Sequence, residues 1–166
     1  MTPRELIREP GVSGLDELHL LAVDDEATDL LAVRRALRDS GNSSTMDEVM
    51  SAAEALERVA GTAYDCIFLD YYIPGVEGLA LVEQIRQCAV GSPPIVIFTG
   101  RGDEEVAVEL MKAGVADYLP KGSLTPERLA SSLRHALEIK RAESARRAAE
   151  AELSESRQRL RAALDA

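Results

Sequence analysis

Short apolar runs alternate along the chain with longer segments whose apolar residues recur at helical spacing. The first run, HLLAV from His19 to Val23, stops at Asp24 and Asp25. In TDLLAVRRALRDSG that follows, Leu30, Leu31, Val33, Ala36 and Leu37 share one helix face, and Gly41 stands where a helix would stop. MDEVM, around Val49, has weaker strand character, and SAAEALERVAG predicts a short helix ended by Gly61. CIFLD, from Cys66 to Asp70, is the next clear strand, and VEGLALVEQIRQC is an amphipathic helix. PPIVIFTG is apolar without a break from Ile95 to Phe98. DEEVAVELMKAG places acids in its first turn and Gly114 after its last, as the helix dipole and a glycine stop favour. ADYLPK holds a short fifth strand, and TPERLASSLRHALE opens a last helix with Thr125 as N-cap and Pro126 at the first helical position.

Strand and helix thus alternate five times. The strands lack polar alternation, so both of their faces should be covered, as in a parallel sheet between two helix layers. In such sheets the functional site lies beyond the carboxyl ends of the strands. The residues in that place are Asp24 and Asp25, Asp70, Thr99 and Lys121.

Composition narrows the reading. Hydrophobic residues make up 46% of the 166 positions, enough for a packed core, while 4% aromatic content and the absence of Trp make that core aliphatic. No apolar segment is long enough for a transmembrane helix, and MTPRELIREP lacks the apolar stretch of a signal peptide. Cys66, in a strand, and Cys88, near a helix end, read as reduced thiols, so a cytoplasmic location is expected. The net charge of −10 is uneven: residues 125–166 carry nine Lys or Arg against seven Asp or Glu, which leaves ten against twenty-two in residues 1–124. So acidic a body argues against nucleic acid as a partner and suits a cation site.

Asp24, Asp25 and Asp70 would converge at one end of the sheet, where like charges destabilise one another unless a cation intervenes. Mg²⁺ prefers oxygen ligands and keeps several waters. Lys121 would add a fixed positive charge and Thr99 a hydroxyl. An aspartate so flanked is suited to accept a phosphoryl group as a nucleophile. Each residue alone has a plainer reading. An acidic pair before a helix is a capping signal, which Asp25–Glu26 would serve; Thr99 is a strand end; Cys66 is core; His19 is a strand-edge residue. His135 lies in no setting that suggests a phosphorylated histidine.

Taken together, VDDE, FLDYYIPG, VIFTG and ADYLPKG resemble, in order and interval, the segments of receiver domains of two-component response regulators. The resemblance covers about residues 18–138, with 1–17 an N-terminal extension and 139–166 a helical linker. It implies a flavodoxin-like (βα)5 fold, a doubly wound α/β sheet of strand order 2-1-3-4-5. It implies that Asp70 is the phosphoacceptor, served by a sensor histidine kinase or phosphotransfer protein, so the chain is a signalling acceptor and not an enzyme. Asp25, Asp70 and the backbone carbonyl of Tyr72 would ligate Mg²⁺, with Asp24 acting mainly through water. Thr99 and Lys121 would bind phosphoryl oxygens, and Tyr118, three residues before Lys121, matches the aromatic switch position. One departure is Gly122 after Lys121, where receivers often carry Pro, commonly with a cis peptide. A haloacid-dehalogenase-like phosphatase also uses an Asp after a strand but wants a second Asp two residues on, where Tyr72 stands. A pseudo-receiver serving only as a dimerisation module would not need the complete acid, Thr and Lys set.

Beyond Pro126 no Gly or Pro interrupts the chain to Ala166. Leu129, Leu133 and Leu137 should cover the sheet. Further on, Ile139, Arg146, Leu153 and Leu160 recur every seven residues, paired with Ala142, Ala149, Ser156 and Ala163, a weak coiled-coil pattern that predicts a parallel homodimer. The ending AELSESRQRLRAALDA resembles the helical lead-in to a PAS-type output domain.

Overall fold

The computed structural model describes residues 17–100 and 104–166; the expected extension up to residue 16 and the start of the segment DEEV lie outside the described residues. The strands are β1 (Leu18–Val23), β2 (Ser44–Val49), β3 (Cys66–Asp70), β4 (Ile95–Thr99) and β5 (Asp117–Pro120). The helices are α1 (Ala27–Asp39), α2 (Ala52–Gly61), α3 (Gly78–Cys88), α4 (Glu104–Lys112) and α5 (Pro126–Leu164), with a single 3-10 turn, Lys121–Ser123, ahead of α5. The strands form one sheet in the order β2-β1-β3-β4-β5, and every pairing is parallel.

Side chains alternate across a strand, and each face here is apolar. Leu21, Val23, Ile67, Leu69, Ile95 and Ile97 pack into one cluster with Ala55 and Val59 of α2 and Leu81 and Ile85 of α3. Leu20, Ala22, Cys66, Phe68, Val96 and Phe98 pack into the other with Leu30, Val33 and Leu37 of α1 and Leu129 and Leu133 of α5. The Phe68 and Phe98 rings stack at 5.6 Å between centroids. Every residue of β3 and β4 is buried, so Asp70 and Thr99 are carried into the interior at the strand ends.

Helix ends follow local chemistry. Gly41, at φ +76°, terminates α1 as expected. Gly114, at φ +87°, closes α4 in a Schellman turn, with Val115 N–H bonded to Leu110 O and Gly114 N–H to Met111 O. Thr125 caps α5 by accepting from Arg128 N–H at 3.2 Å, and Ser51 caps α2 in the same way through Glu54 N–H. α2 ends at Gly61 as expected, and the extended backbone of Thr62 follows it. His19 is the second residue of β1, near the beginning of the strand. Its Nε2 is 3.1 Å from Asp47 Oδ2, the oxygen to which the Tyr64 hydroxyl donates at 2.7 Å, which ties the start of β1 to β2.

α5 runs for 39 residues, about 58 Å at 1.5 Å per residue. Its buried residues, Leu129, Ser132, Leu133 and Ala136, all lie in the first third, and past Glu143 every residue is exposed.

Gly78, the first residue of α3, is buried, and a Cβ there would sit 2.6 Å from the Tyr71 carbonyl oxygen and 2.5 Å from its ring. The backbone just after Asp70 thus packs where only glycine fits. Gly78→Ala is expected to destabilise the fold by about 1–3 kcal/mol through overpacking. Chemical denaturation checks this; an unchanged midpoint would show that the contact relaxes freely.

Candidate functional site

Strand register decides which polar residues meet. Val23 is level with Leu69, so Asp24, just past the end of β1, stands beside Asp70, the last residue of β3. Asp70 is level with Phe98, which puts Thr99 one residue further out on β4, and Thr99 is level with Pro120, which brings Lys121 in behind it. Asp25 completes the group: one carboxylate oxygen from each of Asp24, Asp25 and Asp70 lies within 4.8 Å of the other two. Asp24 and Asp70 are each 4% exposed, and Thr99 is 2% exposed.

The Lys121 ammonium sits among these carboxylates, 2.9 Å from Asp24 Oδ2, 3.2 Å from Asp70 Oδ2 and 2.7 Å from Asp29 Oδ2. Burial opposes its charge, but the hydrogen bonds it donates to Asp29 and Asp24 and the charge of Asp70 outweigh this and raise the Lys121 ammonium above its usual range. Burial also pushes the Asp70 carboxyl above the ordinary carboxylate range, helped by the Asp24 charge. The Tyr72 N–H and Lys121 work against that rise. Tyr72 N–H donates to Asp70 Oδ1 at 3.2 Å, which brings the Tyr72 backbone to the cluster while its ring remains 57% exposed.

Asp29 was not legible as a site residue. It lies in the first turn of α1, where an acid ordinarily complements the helix dipole. Its place in the first turn of the helix directly after β1 was the available signal, since that turn lies at the carboxyl edge of the sheet. The capping expectation is corrected as well. Asp24 Oδ1 accepts from Glu26 N–H at 3.0 Å, and the N-cap residue Glu26 makes no side-chain cap bond. Asp24 therefore serves the start of α1 with one oxygen and Lys121 with the other.

Gly122 follows Lys121 without a cis peptide; among the described residues none is cis, and Lys121–Ser123 turns directly toward α5. Tyr118, at 39% exposure, lies two residues before the Thr99 level and lines a surface hollow with Ala107, Val108 and Met111 of α4. Cys66 is buried core with its thiol pushed far up by burial, and Cys88 is exposed at the end of α3. A set of hard carboxylate oxygens, mostly buried and a few ångströms apart, fits a small divalent cation such as Mg²⁺.

A family model described as the response regulator receiver domain matches residues 20–134. The DNA-binding transcriptional regulator NtrC of Escherichia coli (strain K12) is 37% identical over 99 residues, which cover 60% of this chain and 20% of that protein. The transcriptional regulatory protein FixJ of Bradyrhizobium diazoefficiens is 34% identical over 104 residues, 62% of this chain and 49% of that protein. The chain thus spans between a fifth and a half of the length of these two relatives. Among solved structures, the receiver domain of NtrX from Brucella abortus superposes with a TM-score of 0.64 at 30% identity, over 72% of this chain and 98% of that one. A putative response regulator from Chloroflexus aurantiacus does so with a TM-score of 0.65 at 28% identity, over 74% and 98%. With the five-stranded 2-1-3-4-5 sheet and the acidic cluster at its carboxyl edge, these matches show that the chain belongs to the receiver domain family of two-component response regulators.

Proposed function

We propose that Asp70 accepts a phosphoryl group from the phosphohistidine of a partner sensor histidine kinase or phosphotransfer protein, in a Mg²⁺-dependent reaction, and that the C-terminal helix relays the result. The observation that carries this reading is the Asp70 carboxylate held beside Asp24, Asp25 and the Lys121 ammonium at the edge of the sheet. An Asp70 oxygen attacks phosphorus; the P–O bond forms as the P–N bond breaks, and the imidazole nitrogen keeps the bonding pair and takes up a proton. Asp25, Asp70 and the Tyr72 carbonyl would hold Mg²⁺, with Asp24 acting through water, and the ion would supply neutralisation of charge on the transferring oxygens. Lys121 and the Thr99 hydroxyl bind phosphoryl oxygens from the other side. In this reading the chain promotes only its own modification and is not an enzyme toward other substrates.

Thr99, drawn toward the phosphoryl group, leaves space that Tyr118 fills, which changes the face formed by α4 and β5. The rod then carries the change outward. Leu153 and Leu160 are 53% and 62% exposed, seven residues apart on the free part of α5, and a parallel homodimer would bury them, at about 1.5–3 kcal/mol for each side chain fully covered. A PAS-type module is the proposed output, on the resemblance of AELSESRQRLRAALDA to its lead-in. Among the described residues no helix is long and apolar enough to cross a membrane, which supports a cytoplasmic setting, and the acidic body supports partners other than nucleic acid.

Incubation with Mg²⁺ and a small phosphodonor is expected to label wild-type protein on Asp70 and to leave Asp70→Asn unlabelled. Normal labelling of another aspartate in that variant would overturn the assignment, and no labelling of the wild type would favour the pseudo-receiver. Because the folded-state pKa of Asp70 is raised, its ionisation costs stability as pH rises above the ordinary carboxylate value. Asp70→Asn is therefore expected to melt higher than wild type at neutral pH, and the difference should shrink on acidification. Saturating Mg²⁺ should stabilise the wild type, by about 2.7 kcal/mol at a hundred times Kd, and Asp25→Asn should lose most of that gain in a thermal shift measurement.

Matched structures with and without beryllofluoride are expected to differ in the Thr99 position and the Tyr118 rotamer; identical side chains would remove the switch. Light scattering is expected to find the full chain dimeric at high micromolar concentration and a chain cut after Ala142 monomeric. Two monomers would reduce the rod to a tether.

A further inference from the structure

At the amino ends of β4 and β5, opposite the acidic cluster, the start of the exposed rod borders a cavity of about 120 Å³. Ile85 and Ile139 give it an apolar floor, and its charged lining consists of Arg86 from α3 and Lys140, Glu143 and Arg147 from α5. Cations outnumber the single carboxylate here, on a chain whose net charge is −10.

Arg86 and Lys140 are positioned by backbone carbonyls and not by a counter-ion. Arg86 lies over Gly114 and donates through Nη1 to the Ala113 carbonyl, which among the described residues leaves most of its five N–H donors uncommitted. Lys140 Nζ donates to the carbonyls of Gly91 at 2.5 Å and Ser92 at 3.0 Å, which uses two of its three protons. Those carbonyls belong to a left-handed turn, with Gly91 at φ +75° and Ser92 at φ +48°, so the turn and the lysine hold one another. Arg147 lies seven residues beyond Lys140 on the same side of α5 and forms no ion pair among the described residues. Burial first and the Arg147 charge second hold the Lys140 ammonium below its usual range, against the pull of Glu143. Like charges gathered at a half-enclosed, partly apolar hollow favour an anion between them, as the carboxylates at the other end favour a cation.

We propose that this cavity binds a small phosphate monoester, its dianionic head between Arg86, Lys140 and Arg147 and its organic part against Ile85 and Ile139. A doubly charged head with three acceptor oxygens matches three cations better than a single carboxylate does, and Arg forks suit phosphate geometry. Bound there, the ligand bridges the rod to α3 and stiffens the joint between receiver and linker. The proposal does not depend on the phosphoacceptor reading, because the two sites lie at opposite edges of the sheet.

The test is titration calorimetry on the full chain with EDTA present, so that no metal bridges phosphate to the acidic cluster. The probes are phenyl phosphate, inorganic phosphate and benzoate. Saturable binding of phenyl phosphate is expected, tighter than that of either other probe. Arg147→Gln should weaken it about tenfold, the scale of one charge-assisted contact. Glu143→Gln, which removes the only carboxylate of the lining, should strengthen it. Both residues lie on the rod beyond the part that packs on the sheet, so neither change threatens folding. The proposal is overturned if phenyl phosphate shows no saturable binding, if benzoate binds as tightly, or if both variants bind as wild type does.

Discussion

Asp24 and Asp70 stand almost fully buried side by side at the ends of neighbouring strands, and the ammonium of Lys121 lies within hydrogen-bonding distance of both. A lone buried carboxylate costs several kcal/mol, and two in contact cost more, so this pair depends on the lysine. Much of the fold serves that meeting. β1 and β3 must be in a register that sets the two aspartates level, β5 must end at Pro120, and the 3-10 turn must begin at Lys121 itself. Asp29 then fixes the lysine from α1, and Asp24 uses its second oxygen to bind Glu26 N–H at the start of the same helix. Sheet register, helix start and site charge are thus one interlocked arrangement.

The interior supplies the rigidity this needs. β3 and β4 are buried on both faces by two aliphatic layers, so their ends cannot shift without disturbing both. Gly78 lets the chain after Asp70 fold back against Tyr71, which holds the loop carrying Tyr72 close to the carboxylates. The site is therefore built from loops, but each loop is pinned within two residues of a rigid strand or helix.

Charge divides the molecule into two ends. The carboxyl edge of the sheet gathers carboxylates around one lysine, and the amino edge gathers Arg86, Lys140 and Arg147 around one carboxylate. α5 joins these ends, because it starts a few residues after Lys121 and runs along the sheet to Lys140, whose bonds to the Gly91 and Ser92 carbonyls tie the start of the rod to the turn before β4. A change in the turn after Lys121 and a ligand at Lys140 would thus act on the same helix.

The order of elements, the parallel sheet between two helix layers and the placement of Asp24, Asp25, Asp70, Thr99 and Lys121 at its carboxyl edge were legible from local pattern. Each was signalled by residues a few positions apart: unbroken apolar runs, helical spacing, and glycine stops such as Gly41 and Gly114 that do their work through backbone conformation. The residues that escaped such reading act across long stretches of sequence. Asp29 meets Lys121 over 92 positions, and Lys140 meets Gly91 over 49. Asp24 looked like half of an acidic pair, and only the three-dimensional arrangement divided the roles between cap, lysine partner and cluster member. Local order follows from backbone preference and burial, which neighbouring residues express by themselves. Which charge neutralises which is decided by where the completed sheet brings distant side chains together.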